Sequence, residues 1–543
     1  MPRVRLGAHH SFLLTHLACD WLLGISSPLA SQINCLTKPL LQHRSRRCSV
    51  LVSVCLMGSL FADFHEAQRV GDGRLLASCL APIDTQRDPY RLQSLAQLSN
   101  FQTVSADIRY HLVQDRNATK LPKSEANAWV DIFVALWKCV KELVGLRSGN
   151  GTGDWFKAFD AYKELCNHLV RGYTNFGFQS WTVPCLYIAG KYIRMIAMKA
   201  DSEGKAKEGN GDVYASGFSD DIIGDTNKND TLEQAAWTIN RMFTVCLSDR
   251  AELSESRKWG IYSTTNLLFK TYFKLNSISL TKNVIRALEA ASDDLPPLEL
   301  FPKSHRCTFK YYRGVIEFLQ ENYTEAEQNL TEALDLCHKA SVKNQEQILT
   351  YLIPAHVVNK HQLPSNAALS PHRNLSKIFA PLFAAIRTGS LADFDQALST
   401  AEPELVQRRI YLTLERTRDI CMRNLFRKVY LAAGWEETKD ATTGEITGRI
   451  RRTRIRIEEF EAGMRVGYKG ANEVLIDRDE VECFLANMIY KVCSAYYCLS
   501  ACAFNCFASP CVHASLNGAW YGKLHDRAVA YMKCLMCCLA CSA

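Results

Sequence analysis

The chain has 543 residues, 47% hydrophobic and 22% charged, with 64 Lys and Arg against 56 Asp and Glu for a net charge of +8. This is globular composition, sufficient for two to four domains or one long repeat array, and large enough to bury roughly three quarters of its surface without covalent staples. It holds no uninterrupted apolar run of about 18 residues, so no transmembrane helix is expected.

The 22 cysteines do not form a disulfide framework. Residues 57–491 hold nine of them, and the two ends hold thirteen. The middle has the usage of a reducing compartment, with single cysteines at apolar helical positions. At the N-terminus, Arg3 and Arg5 precede an apolar run in the manner of a signal peptide, but His16 and Asp20 interrupt it. Regular amphipathic pattern begins at Met57, so residues 1–56 are expected to be a leader or mis-translated segment.

From 57 to 433 the pattern is helical. Trp129, Phe133, Leu136, Trp137 and Val140 recur at helical spacing, as do Trp155, Phe159, Tyr162 and Leu169. Residues 186–199 form another apolar helix. Residues 201–230 are polar and Gly-rich, the composition of a disordered insertion, and helices resume near 231 with Leu232, Ala235, Ala236, Ile239 and Phe243. The stretch YYRGVIEFLQENYTEAEQNLTEALDL (311–336) matches tetratricopeptide (TPR) spacing, with Gly314 at the small position where two helices approach and Tyr323, Ala326, Leu330, Ala333 and Leu334 on the inner face. A related register returns at 382–398. One such pair cannot bury both faces, so pairs must stack into a solenoid.

Residues 404–433 are expected to be one long helix, with Pro403 in its first turn and Gly434 at its exit. At about 100° per residue, Arg409, Arg416, Arg423 and Arg427 then share one stripe. A loop (440–448) leads to a basic strand, RIRRTRIRI (449–457), a short helix (458–466), and a helix capped by Asp477 with Glu480 completing a capping box. Strand, helix, loop, helix is the front of a winged helix, whose wing should follow Lys491. Instead a Cys-rich stretch begins. Its C-x-x-C-C-x-x-C (Cys534, Cys537, Cys538, Cys541) abuts two knuckles with no intervening loop, a poor zinc cage. Lys491-Val492-Cys493 can be encoded AAG-GTA-TGT, an exon end followed by an intron donor, so 492–543 is expected to be a read-through tail.

A solenoid of helix pairs ending in a winged helix resembles the PCI domain. The resemblance is closest to the COP-9 signalosome subunit-twelve homologues and the PCI subunit of the TREX-2 mRNA export complex. It is carried by LFADFHEAQRVGDGRLL (60–76), YTNFGFQSWTVPCLYIAGKYIRMIAMKAD (173–201), residues 240–289, YLIPAHVVNKHQLPS (351–365) and EVECFLANMIYK (480–491). It implies an all-α fold, an α-solenoid of TPR-like helix pairs capped by a C-terminal winged helix. The expected division is a helical repeat solenoid at 57–300, a TPR-like helical part at 301–434 and a winged helix at 435–491. The resemblance further implies a non-catalytic scaffold without cofactors, placed in the nucleus, with the cytoplasm left open. Its implied partners are a larger TREX-2 scaffold protein, a small acidic Sem-type peptide, RNA and duplex DNA. A purely structural role in a signalosome-like assembly is the alternative.

Enzyme signatures are missing from the sequence. His65-Glu66 lacks the second histidine of a zinc motif, 149–155 lacks the Gly-Lys-Ser/Thr of a phosphate loop, and no G-x-S-x-G elbow occurs. Charge is the functional signal. Residues 408–456 hold 13 Lys/Arg and 6 Asp/Glu, a surplus of +7, against 51 and 50 in the rest of the chain. Such a cluster suits salt-sensitive contact with phosphates. Asp479, Glu480 and Glu482 open the helix in the recognition position and would repel a duplex there. The expected nucleic-acid-binding residues are therefore Arg449, Arg451, Arg452 and Arg454 together with the Arg409, Arg416, Arg423 and Arg427 stripe, without base-specific contacts.

Overall fold

The computed structural model describes residues 60–83, 91–97, 100–115, 118–147, 153–208, 229–439, 446–452, 454–469 and 477–502. The expected leader and the C-x-x-C-C-x-x-C run lie outside them. The chain divides into two units, at Pro296/Pro297.

The first unit is built from helices whose apolar stripes face one another. They are α1 (60–70), α2 (Gly73–Cys79), α3 (Arg91–Gln97), α4 (Val104–Arg109), α5 (Lys123–Arg147), α6 (Trp155–Asn175), α7 (Pro184–Glu208), α8 (Asp230–Leu247), α9 (Ile261–Lys274) and α10 (Ile278–Ala290). From α5 to α10 each helix packs on the next. Trp129, Phe133, Leu136, Trp137 and Val140 of α5 are fully buried, as are Phe159, Tyr162 and Leu169 of α6. Trp129 stacks on Phe178 with ring centroids 4.5 Å apart and meets Phe64 edge-on.

The expected insertion at 201–230 is corrected at both ends. Helix α7 runs on to Glu208, and Asp201 is buried. One Asp201 carboxylate oxygen accepts from the Thr231 hydroxyl and amide, and the other accepts from the Leu232 amide at 3.1 Å. The free amides opening α8 thus find their acceptor on the preceding helix. Residues 209–228 lie outside the described residues.

The second unit continues with α11 (Lys303–Leu319), α12 (Tyr323–Leu336), α13 (Val342–Lys360), α14 (Asn366–Leu369), α15 (Arg373–Thr388), α16 (Leu391–Gln407), α17 (Tyr411–Glu415) and α18 (Arg418–Ala432). Helices α11 and α12 are the TPR-like pair. A Cβ on Gly314 would lie 2.6 Å from Leu330 Cγ, so only glycine permits this crossing. Ala326, Leu330 and Ala333 are fully buried beneath it. Glu327 of α12, only 8% exposed, ties the pair to α13 by accepting from His356 (2.8 Å), Asn359 (2.7 Å) and Lys360 (2.6 Å).

The single helix expected at 404–433 is not formed. Pro403 lies inside α16, and the chain breaks after Gln407 in a Schellman motif. Arg409 takes the left-handed conformation (φ +59°), its amide bonds to Val406 O, and Ile410 N bonds to Leu405 O at 3.0 Å. Leu405 and Ile410, the apolar pair that accompanies this motif, are fully buried. A second break falls at Thr417, whose hydroxyl bonds Leu414 O.

Gly434 makes the expected exit at φ +83°. It leads into a hairpin of β1 (Trp435–Lys439) and β2 (Ile446–Arg451), paired antiparallel with Trp435 opposite Arg451 and Glu437 opposite Arg449. Strand β1 was not expected, and β2 begins inside the expected loop and ends six residues before Ile457. Helix α19 (Ile457–Gly467) and helix α20 (Arg478–Cys502) follow. The Asp477 carboxylate accepts from the Arg478 amide. Helix α20 passes Lys491 without a stop, because 492–502 contains neither Gly nor Pro.

Two outcomes follow. Gly314→Val forces a methyl group into Leu330 and should cost about 1–3 kcal/mol, seen as a lower urea midpoint. Burial pushes the Glu327 carboxyl up, but hydrogen bonds from Lys360, Asn359 and His356 outweigh it and hold it at about 2. A carboxyl lowered in the folded state contributes stability that is present above the ordinary value of 4.5 and lost as the pH falls toward about 2. Glu327→Gln should therefore flatten the fall of the urea midpoint across that window.

Candidate nucleic-acid interface

The seating of α18 decides where its cations lie. The last turn of α15 leaves carbonyls without intrahelical partners. Side chains of α18 take two of them up, Asn424 Nδ2 donating to Ile386 O (2.8 Å) and Lys428 Nζ to Thr388 O (2.7 Å), while Cys421 Sγ adds a bond to Ala385 O, which the Gly389 amide already caps. Arg418 forms a forked pair with Asp395 of α16, at 3.0 and 3.3 Å, and also donates to the Tyr468 hydroxyl. Arg423, Arg427 and Tyr430 occupy an arc of about 60° on the side of α18 away from Cys421 and Leu425.

The eight expected arginines separate into three groups. Arg416 is neutralised by Glu321 at 2.8 Å, with Tyr323 OH beside it. Arg452 lies 3.5 Å from Glu436 and 3.2 Å from Glu459. Arg409 sits at the helix break, off the α18 arc, so the four-arginine stripe does not exist.

The second group keeps its charge. Arg423 and Arg427 have no carboxylate partner among the described residues. Burial and then the Arg427 charge both lower Arg423 from its ordinary range, and burial and then Arg423 lower His361. Arg454 is exposed, with no ion pair among the described residues. Arg449 is 73% exposed, with a loose contact of 3.8 Å to Glu437.

Arg451 forms the third group. Its guanidinium lies 4.7 Å from the Trp435 ring and 5.5 Å from that of Tyr430, and Nη1 is buried without a hydrogen-bond partner among the described residues. Two aromatic faces hold this cation, so its charge is not cancelled by an acid. Trp435 itself stays 59% exposed. Through Tyr430, Arg451 is joined to the arc of Arg423 and Arg427. The surviving cations thus extend from Arg423 and Arg427 of α18 to the hairpin.

Sequence reasoning missed Tyr430 and Trp435, which make this platform. The available signal was aromatic interleaving: Tyr430 lies three residues past Arg427, and Trp435 directly follows Gly434. At the start of α20, Asp479, Glu480 and Glu482 are exposed, and Arg478 sits between Glu458 (3.4 Å) and Glu482 (3.6 Å). That end is not a cationic groove reader. Among the described residues, no cluster of His, Cys, Asp and Glu is placed to hold a metal, and no helix is long and apolar enough to cross a membrane.

No family model matches the chain. It is 46% identical over 439 residues to the CSN12 homolog of Gibberella zeae, covering 80% of this chain and 94% of that protein. It is 47% identical over 436 residues to the CSN12 homolog of Neurospora crassa, with the same coverage. It is 30% identical over 361 residues to PCI domain-containing protein 2 of Xenopus laevis, covering 66% of this chain and 78% of that protein. Stacked helix pairs leading into a hairpin and two further helices, with likeness over two thirds or more of the length of each of these proteins, place the chain in the PCI-domain family, as a helical scaffold protein related to the CSN12 homologues.

Proposed function

We propose that this chain is a non-catalytic scaffold subunit of a TREX-2-like complex that couples transcription to mRNA export in the nucleus. It holds a larger scaffold protein and a small acidic Sem-type peptide, and it contacts RNA and duplex DNA through their phosphates. The observation that carries the nucleic-acid part is the Arg423–Arg427 pair. Two guanidinium groups one turn apart on α18, both half-buried, make no ion pair among the described residues. Holding like charges together is unfavourable unless a polyanion neutralises them. Arg449 and Arg454 extend that charge, and the exposed ring of Trp435 offers a surface for stacking an unpaired base.

The neutralised pairs favour a second reading. Arg416 and Arg452 behave as ordinary structural cations. A structural subunit of a COP-9 signalosome-like assembly, contacting protein alone, would need nothing more.

Salt titration of duplex DNA binding separates the two. With the full chain, log K should fall linearly with log salt. Arg423→Glu combined with Arg427→Glu should flatten the slope by about 1.8, from two lost phosphates. Arg452→Gln should move it far less. Failure of the full chain to bind RNA or DNA at low salt, with or without an acidic peptide partner, leaves the structural reading.

A further inference from the structure

A second cationic cluster lies in the first unit, far in sequence from the charged segment. Helices α7 and α9 cross closely at Gly190, where a Cβ would come 2.7 Å from Leu267 Cδ1. One turn further along each helix stand Arg194 and Lys270. Arg194 Nη2 donates to the Lys270 carbonyl at 3.3 Å, which fixes the guanidinium across the helix pair. Lys191, exposed and one turn before Arg194, holds its ammonium 5.1 Å from the Tyr192 ring. Lys270 is half-buried. Neither Lys191 nor Lys270 has an ion pair among the described residues.

A half-buried ammonium is ordinarily matched by a carboxylate, because its desolvation is otherwise uncompensated. Here the groups that act on Lys270 are Arg194 and Lys191, both positive. Together with burial, the largest influence, they lower the Lys270 ammonium from its ordinary value. The arrangement makes poor sense as a stabilising device and good sense as a receptor for negative charge. Three cations from two helices, with a tyrosine ring alongside, match the parts used for single strands: charge for the backbone and a ring for a base.

We propose that Lys191, Arg194 and Lys270 form a second nucleic-acid contact, which takes phosphates of a single-stranded backbone. The contact rests on the reading that this chain binds nucleic acid, but it uses a different unit and different residues. Lys191 and Lys270 are the phosphate-facing charges, and Arg194 is positioned between them by the Lys270 carbonyl.

The test uses the full chain and a labelled oligouridine, titrated against salt, with thermal melts of each variant. Lys270→Met removes the like-charge cluster and fills the half-buried site with apolar volume. It should melt at or above the parent temperature while binding oligouridine more weakly. Lys191→Glu with Lys270→Met should flatten the salt slope by about 1.4, from two phosphates on a single strand. A Lys270→Met variant that melts lower and binds with unchanged slope shows a structural lysine and overturns the proposal. Competition by polyglutamate as effective as by oligouridine also overturns it, in favour of an acidic protein partner. Loss of slope with the Arg423/Arg427 double variant, but none with the lysine variants, leaves the α18 surface standing and removes this one. The reverse pattern upholds this contact and removes the α18 surface. Absence of all binding removes both.

Discussion

The last-turn carbonyls of α15 and the side chains of α18 that capture them set the geometry of the second unit. Carbonyls at a helix C-terminus carry partial negative charge and need donors. Lys428 and Asn424 supply them, and the Arg418–Asp395 fork adds a hold from α16. With that side of α18 committed, its remaining cations can only point elsewhere. Rotating the helix by one residue would take Asn424 and Lys428 from their acceptors and turn Arg423 toward the seat. The placement of the half-buried Arg423 and Arg427 beside the buried Tyr430, on the other side of α18, is thus a by-product of how α15 ends.

Charge on this surface is sorted by what each guanidinium touches. Beside a carboxylate, as at Arg416 and Arg452, an arginine contributes little net field and a modest stability, in the range of exposed pairs. Beside an aromatic ring it is oriented without being neutralised, as at Arg451. A count of basic residues treats these cases alike, and the +7 surplus of residues 408–456 consequently overstates the usable charge. The cationic surface that remains is narrower and is defined by its neighbours.

Much of the architecture was legible in the sequence. Apolar spacing located α5, α6 and α8, and Gly314 announced the α11–α12 crossing, because those signals depend on local periodicity and on the size of one side chain. The break at 408–410 was not legible. A Schellman exit is usually marked by glycine, and here Arg409 adopts the left-handed conformation with nothing in its identity to show it. Strand β1 was hidden for a related reason: Trp-Glu-Glu-Thr-Lys has no apolar alternation, and its pairing partner lies beyond a connection. Which arginines are cancelled depends on acids as distant as Glu321, and no window of sequence holds both partners. Lys191 and Lys270 are seventy-nine positions apart. Only the α7–α9 crossing makes them neighbours.

The Asp201–Thr231 clasp has a bearing on how this chain can vary over time. It fastens α7 to α8 before the intervening connection departs and after it returns, so packing on either side is fixed by residues outside that connection. The entropy of closing a chain segment between anchored ends grows slowly with its length, by about 0.6 kcal/mol per doubling. Natural selection can therefore lengthen, shorten or rewrite positions 209–228 with small penalty, whereas loss of a single carboxylate at 201 would be felt in two helices at once. Sequence drift should concentrate between the anchors and spare the anchors themselves.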